Sequence, residues 1–275
     1  MSIRLGIDLG GTKIELIALD GSGHEFFRKR VPTPRGDYAA TVGAVVALIG
    51  NAEDELKAKA TVGIGIPGAL SRVTGLVKNA NSTCLIGHDL KGDLEKSLGR
   101  EVRIANDANC FALSEAVDGA GKGAEVVFGV ILGTGVGGGI VVRGEVLTGP
   151  NAIAGEWGHN PLPLPCKEDL PLPDCYCGRK GCIETYLSGS ALQRDPDMDR
   201  YEERLARALA GMMNILDPDV IVLGGGISNI QRLYAHVPAL WRRYVFSSDV
   251  ATRLMPPAYG DSSGVRGAAW LWGRQ

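Results

Sequence analysis

Residues 158 to 182 hold a histidine and four of the chain's six cysteines in a stretch rich in proline and glycine, GHNPLPLPCKEDLPLPDCYCGRKGC. Such a cluster allows disulfides, a reactive thiol, a metal site or plain packing of reduced cysteines. His159, Cys175, Cys177 and Cys182 offer one imidazole and three thiolates, a complete tetrahedral shell for a structural zinc ion. The intervening glycines allow the loop to fold around an ion. We therefore predict a zinc site, with packed cysteines as the alternative.

Asp8 stands directly before a glycine turn in the segment IDLGGTK. Apolar alternation over residues 3 to 9 and 14 to 19 predicts two strands, so the turn at residues 10 to 13 is a hairpin tip. Backbone N–H groups at such a tip can approach an anion closely, and a carboxylate beside it can hold hydrated Mg²⁺ against phosphate oxygens. For one tip alone, a tight hairpin without a ligand is an equal alternative.

A second glycine turn, GTGVGG at residues 133 to 138, matches the G-x-G-x-x-G dinucleotide pattern. That pattern requires a helix after the glycines, whereas GIVVRGEVL continues here as a strand. We therefore interpret it as another hairpin tip. Two tips of this kind, together with Asp8, predict a polyphosphate site that is not a P-loop.

The segment EVRIANDANCFALSEA predicts a short strand at residues 101 to 105 and a helix that begins near Asn106. Asn and Asp suit a helix N-terminus because their side chains accept hydrogen bonds from its free N–H groups. From the residues alone, capping is the favoured role of Asn106 and Asp107.

These groups need strands and helices to position them, and the chain alternates between the two. Its 275 residues are 45% hydrophobic and 22% charged, enough for a large core. Because each glycine-tipped hairpin opens a run of strands and helices, we predict two related α/β domains facing each other across a cleft. The first comprises residues 1–109 plus 264–275, and the second comprises residues 110–263.

The charge pattern limits the classes of partner. The net charge is −2 with no basic run, so we expect neither nucleic acid nor a membrane surface as a partner. The longest uncharged run, residues 126 to 142, holds six glycines and is too short for a membrane span. Arg4 and Asp8 interrupt any secretory signal, so we expect a cytoplasmic protein in which disulfides are disfavoured.

The segments DLGGTK at 8–13, LGTG at 132–135 and LGGG at 223–226, in this order, resemble the ATP site of ROK-family sugar kinases. The resemblance covers nearly the whole chain and implies a two-domain α/β fold of the actin/hexokinase-like (ribonuclease H-like) class, with a cleft between the domains. It implies ATP and Mg²⁺ as cofactors. The residues that it assigns to them are Asp8, Gly10, Gly11, Thr12, Lys13, Gly133, Thr134, Gly135, Gly224, Gly225 and Gly226.

The resemblance also assigns the acceptor side. It implies that Asp107 is the catalytic base, because phosphoryl transfer needs a carboxylate near the attacking hydroxyl. The implied hexose contacts are Gly68 through its backbone, Asn81, Asn106, Asp107, Glu156, His159 and Glu184. The family pattern does not use Cys166 in the zinc shell. The zinc would hold Glu156 and Glu184 on one wall of the cleft.

Longer segments, among them VKNANSTCLIG, GEWGHNPLP and GDSSGVRGAAWLW, resemble the bacterial fructokinase (mannokinase) branch of the family. They imply transfer to the 6-hydroxyl of D-fructose, with mannose as a further acceptor. N-acetylglucosamine kinases share ANDANCFALSEA and ILGTGVGGG almost as well, so they and the glucokinases of the family are the alternative. The residues around 79 to 83 and 160 to 161 favour fructose.

A non-catalytic sugar sensor is the second alternative, although intact Asp8, Thr12, Asp107 and Thr134 argue against it. Repressors of the family place a DNA-binding domain before the sugar domain, whereas here Asp8 already belongs to the phosphate turn. The family resemblance implies a homodimer. Between Gly189 and the helix that starts near Met198, the chain is shorter than the family pattern, which usually carries a helical insertion there.

Overall fold

The computed structural model describes residues 3 to 80 and 82 to 273. The strands of this part of the chain are Arg4–Leu9 (β1), Lys13–Leu19 (β2), Glu25–Pro32 (β3), Thr61–Ile66 (β4), Ala69–Leu70 (β5), Val77–Lys78 (β6), Arg103–Asn106 (β7), Val126–Leu132 (β8), Val136–Val142 (β9), Glu145–Val146 (β10), Val220–Gly224 (β11) and Arg253–Met255 (β12). Its α-helices are Tyr38–Leu56 (α1), Leu90–Leu98 (α2), Asp107–Val117 (α3), Glu184–Leu187 (α4), Gly189–Arg194 (α5), Met198–Leu216 (α6), Leu233–Trp241 (α7) and Ser263–Trp270 (α8).

Two five-stranded sheets repeat the same topology. The first has the order β3-β2-β1-β4-β7, and the second has the order β10-β9-β8-β11-β12. In each sheet three antiparallel strands are followed by two parallel ones, which are connected through helices. The repeat confirms the prediction of two related α/β halves. The domain boundaries given above stay a prediction.

Helices α3 and α8 lie between the two sheets, and each packs on the sheet of the other half. Helix α3 follows β7 of the first sheet but packs on β8 and β9, whereas α8 follows the second sheet but packs on β1 and β4. The two helices also contact each other directly. At that contact a Cβ added to Gly267 would lie 1.6 Å from the carbonyl oxygen of Cys110, so only a glycine fits there.

Buried apolar side chains form a core in each half and a third cluster between them. Ile7 and Ile64 belong to the first core, and Phe128 belongs to the second. Phe111 of α3 and Val265 of α8 belong to the cluster between the sheets. Alternation along the strands and helical spacing in the helices direct these side chains inward.

The ends of the long helices follow from their capping residues. Asp37 accepts a hydrogen bond from the N–H of Ala40 at the start of α1, and Asp197 accepts one from the N–H of Arg200 at the start of α6. Lys57 and Asp217 end these helices in the left-handed conformation. The helical spacing of apolar residues predicts one helix over residues 38 to 59, whereas α1 ends three residues earlier because Lys57 leaves the helical conformation.

Helix α7 is also shorter than the sequence predicts. The sequence after the third glycine turn predicts a helix over residues 229 to 244, whereas residues 226 to 229 form a 3₁₀ turn and α7 begins at Leu233. The hydroxyl of Tyr234 donates to the Ser228 carbonyl, and the hydroxyl of Ser228 donates to the Gly225 carbonyl. These two bonds stabilise the turn. Residues 133 to 135 form a hairpin tip between β8 and β9, as predicted.

A short connection links α5 to α6, at the place where the sequence is shorter than the family pattern. Helix α5 ends at Arg194 and α6 begins at Met198. Within residues 3 to 80 and 82 to 273, no helix is both long enough and apolar enough to cross a membrane.

Candidate active site

Asp8 lies at the end of β1, beside the first glycine turn. The turn is closed by a hydrogen bond from the Gly10 N–H to the Lys13 carbonyl (3.0 Å), and the Thr33 hydroxyl donates to the Gly10 carbonyl (2.7 Å). Burial raises the pKa of Asp8 from 3.8 to about 6, and the negative charges of Asp107 and Glu15 add to the effect. The turn therefore carries a carboxylate whose charge nothing nearby fully compensates.

Asp107 is the first residue of α3, where β7 ends. The N–H of Ala108 donates to Oδ1 of Asp107 (2.8 Å) and to Oδ1 of Asn106 (2.9 Å), so both side chains cap the helix as the sequence predicts. The Nδ2 of Asn106 donates to the carbonyl of Gly68 (3.1 Å). Burial raises the pKa of Asp107, and the charge of Glu156 contributes, while the Ala108 N–H opposes the shift.

Glu184 connects the second glycine turn to the cysteine loop. One of its carboxylate oxygens accepts a hydrogen bond from the N–H of Val136 (2.8 Å), directly after the turn. A Cβ added to Gly135 would lie 2.7 Å from the same carboxylate, so the glycine permits the approach. The indole Nε1 of Trp157, the residue after Glu156, donates to the Gly137 carbonyl (2.9 Å). This bond holds Trp157 against β9.

A cavity of about 180 Å³ brings many of the predicted site residues together. We call it the hexose cavity, because the resemblance assigns hexose contacts to several of the residues that line it. The predicted residues that line it are Gly68, Asn106, Asp107, Gly133, Thr134, Gly135, Glu156, His159 and Glu184. Asn79 and Tyr176 also line it and were not predicted. Each had a signal in the sequence, because Asn79 stands two residues before Asn81 and Tyr176 stands between two predicted zinc ligands.

The other predicted residues lie outside this cavity. Gly10 and Gly11 line a separate cavity of about 220 Å³. Thr12 and Lys13 are exposed at the first turn, where the Lys13 ammonium is 3.5 Å from the Glu15 carboxylate. Asn81 lies outside the residues that the structure describes.

The third glycine turn follows β11 and comprises Gly224, Gly225 and Gly226. Gly225 has φ +78°, in the left-handed region that favours glycine. A Cβ at this position would lie 2.4 Å from the Leu132 carbonyl oxygen, so the third turn packs directly against the end of β8, which leads into the second turn.

The imidazole and the three thiols predicted as zinc ligands are gathered in one cluster. Their ligand atoms all lie within 4.8 Å of one another, at His159, Cys175, Cys177 and Cys182. Nδ1 of His159 is 3.6 Å from Sγ of Cys175, and Sγ of Cys177 is 3.7 Å from Sγ of Cys182. With zinc bonds of about 2.0 to 2.3 Å, the edges of a tetrahedral shell are about 3.5 to 3.8 Å. The donor set therefore fits a tetrahedral zinc ion.

Two α/β sheets of identical strand order, with glycine turns after β1, β8 and β11, define an actin/hexokinase-like fold. The chain belongs to the ROK family, whose model matches residues 4–198 and 195–275. The two matched segments meet at the short connection between α5 and α6.

Several known proteins are similar to this chain over nearly its full length. An N-acetyl-D-glucosamine kinase of Yersinia enterocolitica is 39% identical and the match covers 97% of this chain and 98% of that protein. The ROK hexokinase of Thermus thermophilus superposes with a TM-score of 0.84 at 31% identity, covering 97% of this chain and 96% of that one. A ROK glucokinase of Streptomyces griseus, in complex with glucose and AMPPNP, gives 0.77 at 26% identity, covering 98% and 99%.

Proposed function

We propose that this chain is an ATP-dependent kinase that transfers the γ-phosphoryl group to the 6-hydroxyl of a hexose. The observation that carries the proposal is the position of Asp107, a half-buried carboxylate of raised pKa in the cavity that the second glycine turn also lines. A carboxylate in such a place can accept a proton from a sugar hydroxyl. Membership of the ROK family and the kinase relatives support the same reaction.

In the proposed mechanism Asp107 accepts the proton of the 6-hydroxyl while the new oxygen–phosphorus bond forms and the bond to the departing ADP oxygen breaks. Its raised pKa brings it closer to the working pH and makes it a better base than an ordinary aspartate. The hydrogen bond from the Ala108 N–H keeps one oxygen fixed and leaves the other for the substrate. Asn106, Glu156, His159 and Glu184 would orient the sugar through its other hydroxyls.

The nucleotide side of the proposal rests on the glycine turns and on Asp8. The charges of Asp8 and Asp107 fit a nearby divalent cation, because such a cation would offset the burial that raises both pKa values and the repulsion that Asp107 exerts on Asp8. The turns at residues 10 to 13 and 133 to 135 would hold phosphates through backbone N–H groups, and the turn at 224 to 226 would lie at the adenosine. When bound, Mg·ATP would supply the phosphoryl group, and its Mg²⁺ would neutralise the negative charge of the phosphate oxygens.

We propose that the cluster of His159, Cys175, Cys177 and Cys182 holds a structural zinc ion outside the reaction. His159 belongs to the 3₁₀ turn that follows Glu156, and Cys182 precedes Glu184 by two residues. An ion between them would fix both glutamates on one wall of the cavity. Cys166 lies outside the cluster.

Two hexoses are proposed as the acceptor, each on its own observation. The comparisons favour N-acetyl-D-glucosamine, because the 39% identical relative bears that name. The segments VKNANSTCLIG and GEWGHNPLP favour D-fructose, because they resemble the fructokinase branch and contribute Asn79, Glu156 and His159 to the hexose cavity. Both sugars carry a primary 6-hydroxyl, so the proposed chemistry is the same for either.

A coupled ADP-release assay over fructose, mannose, glucose and N-acetylglucosamine tests the proposal. The hexose with the highest kcat/KM is the acceptor, and absence of turnover on every sugar would instead support a non-catalytic sensor. In Asp107→Asn we expect kcat to fall about 100- to 10,000-fold with little change in KM, since a general base contributes about that factor. The exposed Asp54→Asn is the control. Turnover of Asp107→Asn within a few-fold of wild type would contradict the base assignment.

A further inference from the structure

Two cavities meet at the hexose site. The hexose cavity contains Asp107 and the second glycine turn, whereas a neighbouring cavity of about 720 Å³ contains neither. The two share Asn79, Glu156, His159 and Tyr176, so they adjoin each other at these residues. An acceptor whose 6-hydroxyl lies at Asp107 therefore directs its opposite end towards the larger cavity.

Tyr176 stands at the boundary between the two cavities. Its hydroxyl is 3.0 Å from Nε2 of His159, and its ring meets the imidazole edge to face with centroids 5.2 Å apart. With Nδ1 of His159 turned to Cys175, Nε2 is the ring nitrogen that remains for a sugar hydroxyl. Tyr176 thus occupies a hydrogen-bonding position that a sugar would use. It is 79% exposed, so its side chain can turn outward without leaving a packed core.

The lining of the larger cavity indicates what it would accept. Ile153, Trp157 and Met212 provide apolar walls, while Asn160 and Arg179 provide polar groups. A short acyl chain on an amide nitrogen combines the same two properties, because it carries an apolar tail, an N–H donor and a carbonyl acceptor. A plain hydroxyl at that end of the sugar would leave the apolar walls without a partner.

We propose that Tyr176 is a specificity-determining residue that controls access of N-acylated hexoses to the larger cavity; this inference rests on the proposed kinase function. With its hydroxyl on His159, Tyr176 closes the far end of the hexose cavity and favours an unsubstituted hexose. When it turns outward, the larger cavity receives an N-acyl group on the sugar. The choice between the two proposed acceptors then depends on one exposed side chain.

The test compares kcat/KM for N-acetylglucosamine and N-butanoylglucosamine with kcat/KM for the best unsubstituted hexose. We expect Tyr176→Ala to raise this ratio at least tenfold. Tyr176→Phe removes only the hydrogen bond to His159 and should give a smaller rise. Ile153→Trp narrows the larger cavity and should lower the ratio at least fivefold. The control is Lys180→Ala, an exposed change in the same loop that lines neither cavity and should leave the ratio within twofold.

The zinc content of each variant is measured in parallel and shows whether the loop is intact. If the ratio stays within twofold in both Tyr176→Ala and Ile153→Trp while their zinc content equals that of wild type, the inference is overturned. If wild type phosphorylates no sugar, the proposed function fails, and calorimetric titration with N-acetylglucosamine then decides the inference alone. Tighter binding by Tyr176→Ala would support it, and unchanged binding by both variants would overturn it.

Discussion

Asp8→Asn should make the protein more stable and inactive at the same time. Asp8 is a carboxylate whose burial, with the charges of Asp107 and Glu15, raises its pKa from 3.8 to about 6. Because of this higher pKa, the folded state binds the proton of Asp8 more tightly than the unfolded state does. The free energy of unfolding therefore falls as the pH rises from about 4 to 6, and it stays lower at higher pH. Asparagine has a similar shape and no charge, so it removes this cost.

The size of the effect follows from the pKa difference. Each pKa unit corresponds to about 1.4 kcal/mol, so Asp8→Asn should raise the free energy of unfolding by up to about 3 kcal/mol at pH 8. At pH 5 Asp8 is mostly protonated in the folded state but ionised in the unfolded state, so the expected gain is about half as large. Urea unfolding in EDTA without nucleotide measures both values, with Asp54→Asn as the control.

A loss of stability at pH 8, or an equal gain at both pH values, would refute the reasoning. The first result would mean that the Asp8 carboxylate makes stabilising contacts in the free protein. The second would mean that ionisation of Asp8 is not the source of the effect. Loss of turnover in the same variant is expected because Asp8 is proposed to face the cation of Mg·ATP.

Two further predictions concern the zinc cluster and the third glycine turn. Metal analysis should find one zinc per chain. Removal of the zinc by a chelator, or the substitution Cys182→Ser, should lower activity at least tenfold, whereas the control Cys166→Ser should retain both zinc and activity. Full activity without zinc would contradict the proposal. Gly225→Ala should lower the free energy of unfolding by about 1 to 3 kcal/mol, because its φ is +78° and the added methyl would meet the Leu132 carbonyl. Gly226→Ala, whose methyl would meet nothing within 4 Å, is the control, and an equal effect of both in urea unfolding would count against this explanation.

The sequence allowed prediction of the fold and of those site residues that lie at local turning points of the chain. Glycines between two alternating apolar segments indicate a hairpin, and Asn106-Asp107 after a short strand indicates a helix start, so Asp8 and Asp107 could be located without tertiary contacts. The cluster of His159, Cys175, Cys177 and Cys182 could be predicted in the same way, because three of its four residues lie within eight positions of the sequence.

Contacts between distant segments could not be predicted from local patterns. The carboxylate of Glu184 accepts a hydrogen bond from the N–H of Val136, 48 residues away. Nothing in the segment GCIET, which contains Glu184, indicates that contact. Tyr176 lines the hexose cavity because the loop folds back on His159, and its neighbours indicated only metal ligands. The late start of the helix predicted at residues 229 to 244 has the same origin, since bonds to the carbonyls of Gly225 and Ser228 stabilise the 3₁₀ turn that precedes it.

The contact between α3 and α8 has a consequence for the width of the cleft. The contact between Gly267 and the Cys110 carbonyl involves backbone atoms only, so there is no side chain at this point whose size could change the spacing of the two sheets. Any residue other than glycine would force the helices apart, and each helix would move with the sheet on which it packs. Direct backbone contact between the two helices therefore limits how closely the two halves of the molecule can approach each other.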